Sequence, residues 1–200
     1  MKHTTYILLA GLSLLFLSSC SENEARKPIS RATGTFMKES VERNKKIISS
    51  EEKIIDSIIK SQPEKKYYTS SQGFWYTYIN RNETDTIRPK KGDVVTFEYD
   101  VNDLQNNVIY TALELRPQTY RVDKENIMTG LKDGIKLMRK NETVEFLFPS
   151  NIAYGFYGDK NRIGTNVSLK CTVTLTSIAK DTKTESKTEN NNLVNNETND

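Results

Sequence analysis

The stretch from Ile127 to Gly155, IMTGLKDGIKLMRKNETVEFLFPSNIAYG, restricts the fold of this chain more than any other. Met128, Leu131, Ile135 and Met138 recur at helical spacing and line one face of a short helix. Asn141 interrupts that period. From Val144 the period drops to two: Val144, Phe146 and Phe148 point one way, while Thr143, Glu145 and Leu147 point the other, which predicts a half-buried strand. Pro149 has no N–H to give a ladder and ends it, leaving Ala153, Tyr154 and Gly155 on a loop. A helix that can lie across a sheet, a strand of that sheet and a loop at its end thus follow one another directly.

The flanking sequence supplies the rest of a sheet. GFWYTYI (73–79) is aromatic and extended, and Val95, Phe97, Tyr99 and Val101 alternate with polar neighbours. Val108-Ile109-Tyr110 and Thr119–Val122 read as further short strands. Val167, Leu169, Cys171, Val173 and Leu175 make the clearest alternation in the chain. About five or six antiparallel strands around one short inserted helix predict an α+β domain over residues 73–179, a twisted antiparallel sheet wrapped around that helix. An amphipathic helix precedes it at residues 37–62. There Val41, Ile48 and Ile55 lie at seven-residue steps, in a stripe with Ile47, Ile54, Ile58 and Ile59. That stripe, spanning 37–60, has three ways to be covered: by its own domain, by a second copy of the chain, or by a partner. Residues 20–36 are polar and read as a tether. Residues 180–200, rich in Asn, Thr, Glu and Lys, hold too little apolar surface to fold and are expected to be disordered.

The first nineteen residues have a basic start, Lys2 and His3, and an apolar run from Ile7 to Leu17 that is too short for a lasting membrane span. The run ends in Leu17-Ser18-Ser19-Cys20, which resembles the lipobox of bacterial lipoproteins. That resemblance implies cleavage before Cys20, acylation of Cys20 and a lipid anchor in the cell envelope. Ser21 in place of an aspartate implies the outer membrane. The alternative is an ordinary secretory signal with an incidental cysteine.

These residues exclude several kinds of chemistry. His3 is the only histidine and falls in the segment expected to be removed, so Ser-His-Asp and Cys-His catalysis and histidine metal sites are not expected. No metal or cofactor is expected. With Cys20 lipidated, Cys171 is the one free thiol and reads as a small buried apolar residue. A net charge of +3, about +2 once Lys2 is lost, does not favour nucleic acid as a partner. The loop GFYGDKNRIG (155–164) lacks the spacing of a phosphate-binding loop.

Three segments, KKGDVVTFEYDV (90–101), ENIMTGLKDGIKLMRKNETVEFLFPSNIAYG (125–155) and VSLKCTVTLTSI (167–178), resemble the FKBP-type peptidyl-prolyl cis-trans isomerases. Together with the lipobox, the chain resembles the gliding-motility-associated lipoproteins of that family. The resemblance implies an apolar pocket between sheet and helix that acts on proline-containing polypeptides. By the same resemblance Tyr99, Tyr154 and Met128 would carry catalysis, the Tyr154 hydroxyl and the Met128 N–H holding the ligand. Ile109, Tyr110, Ile127, Leu131, Ile163 and Cys171 would line the pocket. Three positions depart from the family: Tyr110 stands where an aspartate is common, and Leu131 and Cys171 replace aromatics, leaving a wider and less aromatic floor. Two other functions fit the same residues: a non-catalytic module that holds extended segments in this groove, and a structural lipoprotein that acts through its helix.

Overall fold

The computed structural model describes residues 31–180, with side chains from residue 36 onward. The expected signal, Cys20, the first part of the tether and the polar tail lie outside the described residues. Two compact units divide the chain after Ser40. In the first, described from Arg31, the chain is helical and the Phe36 and Met37 side chains are exposed. The helix, α1 (Arg31–Ser61), begins earlier than the tether expected to residue 36 allows. Among the described residues no helix is long and apolar enough to cross a membrane.

The second unit holds the rest of α1 and the sheet. Its strands are β1 (Tyr68–Thr69), β2 (Trp75–Asn80), β3 (Val94–Tyr99), β4 (Val101–Asp103), β5 (Val108–Tyr110), β6 (Gln118–Arg121), β7 (Thr143–Phe148) and β8 (Leu169–Ala179). Helices α2 (Ala112–Leu115) and α3 (Thr129–Ile135) lie between them. Every pairing is antiparallel, in the order β1-β2-β7-β8-β3-β6, with β4 joining β8 to β5. The expected α+β architecture is thus present, with more strands than the alternation showed. β5 is the short strand expected at Val108–Tyr110, whereas β1 and β4 have two or three residues each, too few to establish a period.

The inner face of the sheet is built by cross-strand pairs. Val144 faces Val173, Phe146 faces Cys171 and Phe148 faces Leu169, and all six side chains are buried. α3 lies on this face through its glycines. A Cβ at Gly130 would come within 2.5 Å of the Phe148 ring, and one at Gly134 within 2.9 Å of the Phe146 ring. Leu131, Ile135 and Met138 are buried in the same cluster, and Asn141, at φ 65°, turns the chain from α3 into β7.

β7 is not half-buried, as its alternation predicts, but buried on both faces from Val144 to Phe148. Leu147 and Ile55 of α1 have no exposure and stand apart from the main core. Glu145, 6% exposed, accepts from the Tyr67 hydroxyl at 2.6 Å and from Lys65 Nζ at 3.2 Å. The Glu51 carboxylate accepts from the Ser150 N–H at 3.0 Å. The chain from α1 to β1 therefore covers the outer face of the sheet. Of the three ways to cover the α1 stripe, its own domain takes Ile55 and leaves Val41 and Ile54 exposed.

Candidate functional site

β3 ends at Tyr99 because Asp100 leaves the ladder. Its backbone N–H donates to Thr172 O at 3.1 Å, and its carboxylate accepts from Thr172 N at 3.1 Å and Asn102 Nδ2 at 2.9 Å. Tyr99 is thereby held at the end of β3, near Cys171 on β8. On the other side, the chain after β7 makes a short 3-10 turn, Ser150–Ile152, and delivers Tyr154. Tyr99, Tyr110, Tyr154 and Cys171 lie close enough to perturb one another electrostatically. Met128, Leu131, Ile163 and Cys171 are buried in the main cluster, and Tyr99, Ile109, Tyr110, Ile127 and Tyr154 pack against it. The structure thus gathers all nine expected pocket residues around one apolar cluster.

Burial pushes the Tyr99 hydroxyl up to about 12, with smaller contributions from Tyr154, Cys171 and Tyr110. Burial also raises the Tyr154 hydroxyl and the Cys171 thiol. All three are neutral at pH 7. Among the described residues neither the Tyr99 nor the Tyr154 hydroxyl has a hydrogen-bond partner, and no backbone bond outside helices and strands uses the Met128 N–H. Three unspent donors therefore stand at an apolar cluster that offers no thiolate nucleophile. Cys171 is expected to resist iodoacetamide in the native protein and to react once urea unfolds it, as peptide mapping would record; alkylation at equal rates in both states would contradict its placement.

The loop after Tyr154 is fixed by a residue that sequence reasoning missed. Asp159 Oδ1 accepts from the N–H groups of Asn161 and Ile163, each at 2.8 Å, and Oδ2 accepts from the Tyr110 hydroxyl at 2.5 Å. Tyr110 thus meets a carboxylate brought in by the loop. Gly158, at φ 61°, permits the close return: a Cβ there would lie 2.1 Å from Ile163 O. Arg162 adds a second tie. Its guanidinium sits 4.9 Å over the Tyr110 ring and donates to Ile109 O at 2.9 Å and to Glu114 at 3.0 Å. Glu114 in turn closes a capping box with Thr111 at the start of α2. Thr111-Ala112-Leu113-Glu114 carries that signature in the sequence, whereas nothing local announces the role of Asp159.

These ties predict an acid-sensitive loop. Burial works to raise the Asp159 carboxyl, but donation from Tyr110, Asn161 and Ile163 outweighs it and holds the group below its usual range. Glu114 is lowered to about 2 by the Thr111 N–H, Arg162 and the Thr111 hydroxyl. A folded-state pKa below the unfolded one gives stability that is present above the unfolded pKa and lost as pH falls through the folded one. Amide exchange at Asn161 and Ile163 is therefore expected to accelerate as pH drops below about 4, after correction for intrinsic rates. In Asp159→Asn that acceleration should vanish; its persistence would remove Asp159 as the clasp.

A family model described as FKBP-type peptidyl-prolyl cis-trans isomerase matches residues 85–176. The chain is 26% identical over 110 residues to a probable FKBP-type peptidyl-prolyl cis-trans isomerase, FkpA, of Neisseria meningitidis serogroup B, a match that covers 55% of this chain and 39% of that protein. It therefore spans about two fifths of that relative's length. Among solved structures, FkpA from Escherichia coli superposes with a TM-score of 0.55 at 23% identity, over 88% of this chain and 83% of that one. A peptidyl-prolyl cis-trans isomerase from Pseudomonas syringae pv. tomato superposes with a TM-score of 0.55 at 15% identity, over 68% of this chain and 96% of that one.

Proposed function

We propose that the chain, whose residues 85–176 match the model of the FKBP-type peptidyl-prolyl cis-trans isomerase family, isomerises X–Pro bonds in polypeptides at the apolar cluster beside Tyr154. The observation that carries this reading is the set of unspent donors, the Tyr99 and Tyr154 hydroxyls and the Met128 N–H, at a buried apolar cluster within the matched segment.

The reaction needs no nucleophile. Amide resonance gives the X–Pro bond a rotation barrier of about 18–20 kcal/mol, while cis and trans differ by only about 0.5–1 kcal/mol. A site that takes the amide out of water disfavours the dipolar resonance form that stiffens the bond. If it also fits the twisted amide better than either planar form, it lowers the barrier. Leu131, Ile163, Met128 and Cys171 supply the apolar surroundings in this scheme. The Met128 N–H and the Tyr154 hydroxyl hold the carbonyl next to the turning bond.

A protease-coupled assay on a short proline peptide tests the proposal. The unmodified chain is expected to accelerate isomerisation, and Tyr154→Phe combined with Leu131→Ala to reduce it at least tenfold. Equal rates would remove these residues from the site. The runner-up is a module that holds proline-containing segments without turning them over, favoured by Tyr110, Leu131 and Cys171, the three positions that depart from the family's usual residues. Protection of a refolding client without acceleration would establish that reading instead.

The setting belongs to the same proposal. The Leu-Ser-Ser-Cys end of the apolar run supports a lipid anchor at Cys20 and work on envelope proteins, in the outer membrane when Ser21 is taken into account. Components of a gliding machinery would be the narrower class of client. Exposed Val41 and Ile54 on α1 support self-association, which sedimentation of the chain would detect.

A further inference from the structure

The outer edge of β2 is only partly paired. β1 supplies two residues, Tyr68 opposite Tyr76 and Thr69 opposite Trp75. The chain before it, Glu64 to Lys66, then diverges. Among the described residues no strand pairs with residues 77–80 on this side. Backbone groups of an antiparallel strand alternate between its two neighbours. The Ser70 N–H donates to Phe74 O at 2.8 Å, so Phe74, Tyr76 and, by the same alternation, Tyr78 turn N–H and C=O toward this edge.

The divergence opens a wedge of about 460 Å³ between residues 64–66 and 77–81. Its lining combines aromatic surface with three cations, Lys65, Lys66 and Arg81, and one carboxylate, Glu64. The Tyr68 and Tyr78 rings meet edge to face at 6.1 Å. Lys66 Nζ sits 5.3 Å over the Tyr68 ring, and the Arg81 guanidinium 4.9 Å over the Tyr78 ring. Lys65 is paired with Glu145, but among the described residues neither Lys66 nor Arg81 meets a carboxylate. Ile79, next to the unpaired backbone, is 57% exposed.

We infer that this edge receives an extended acidic polypeptide segment, which adds to β2 as a strand beside Tyr78 and sets its carboxylates against Lys66 and Arg81. Strand addition supplies the backbone bonds that β1 leaves unmade. Positive charge on a sheet edge keeps neutral and basic strands away; toward an acidic strand the same charge is attractive, so the edge selects its partner by sign. The surface shares no residue with the proline site and goes beyond the isomerase reading: a polypeptide held here needs no proline.

Fluorescence anisotropy of the full chain with a labelled, proline-free peptide alternating valine and glutamate tests this. Saturable binding is expected. Lys66→Glu with Arg81→Glu should weaken it roughly tenfold or more, N-methylation of the peptide backbone should abolish it, and a valine–lysine peptide should not bind. Both substituted side chains are exposed, so the variant is expected to keep its fold by circular dichroism and its rate on a short proline peptide. Absence of binding by the acidic peptide, or binding indifferent to N-methylation or to the double substitution, overturns the inference. None of these outcomes depends on whether the chain isomerises proline.

Discussion

Met128→Pro is expected to lower kcat/KM for prolyl isomerisation roughly 10- to 100-fold while leaving the fold in place. Met128 has φ −50°, inside the range that the proline ring allows. It caps the N-terminus of α3, and its N–H enters no backbone bond outside helices and strands among the described residues. Proline therefore removes the donor proposed to hold the substrate carbonyl without breaking a bond of the protein. A carbonyl drawn from water and left unpaired costs about 1–3 kcal/mol, and each 1.4 kcal/mol corresponds to about tenfold in rate. The side chain is buried, so Met128→Leu is the control. It keeps the N–H, costs less than about 1.5 kcal/mol in stability and should retain most of the activity. If Met128→Pro isomerises as fast as the control, the N–H is not an anchor.

The largest effect on stability is expected at Phe146. Its ring has no exposure, lies 5.3 Å from Phe148 in a parallel stack and 5.9 Å from Phe74 edge to face, and meets Tyr76 at 6.1 Å. α3 comes down on it through Gly134. Truncation removes this junction of three elements and leaves a cavity that α3 and its neighbours cannot fill without moving. Phe146→Ala should destabilise the domain by about 3–5 kcal/mol, a large part of the roughly 5–15 kcal/mol that holds a typical domain folded. Urea unfolding followed by circular dichroism should show a midpoint shift of that size at unchanged slope. A loss under about 1 kcal/mol would mean that the ring is not the junction described.

The parts of this fold that were legible in the sequence are those with a repeating period. Leu131 and Ile135 on α3, Met128 and Met138 flanking it, and the alternation in β7 and β8 each state which side is buried, and the structure buries those sides. Glu145 misled because a carboxylate reads as solvent-facing until Tyr67 and Lys65, far back in the chain, fold over it. Asp159 was illegible for the same reason. Its worth depends on Tyr110, 49 residues away, and on Gly158 turning the loop back. Long-range polar pairing leaves no local period to read. The short strands β1 and β4 escaped because alternation needs length.

The hydrogen bond from Ser150 to Glu51 has a practical consequence. The segment that matches the family model begins at residue 85, which makes that boundary an obvious place to trim the gene. Such a fragment would lose β2, so β7 would become a bare rim with Leu147 turned to water. It would also lose the Glu51 carboxylate that fastens the turn ahead of Tyr154. A shortened protein that clumps or works slowly would then reflect where it was cut, and expression should begin no later than residue 41.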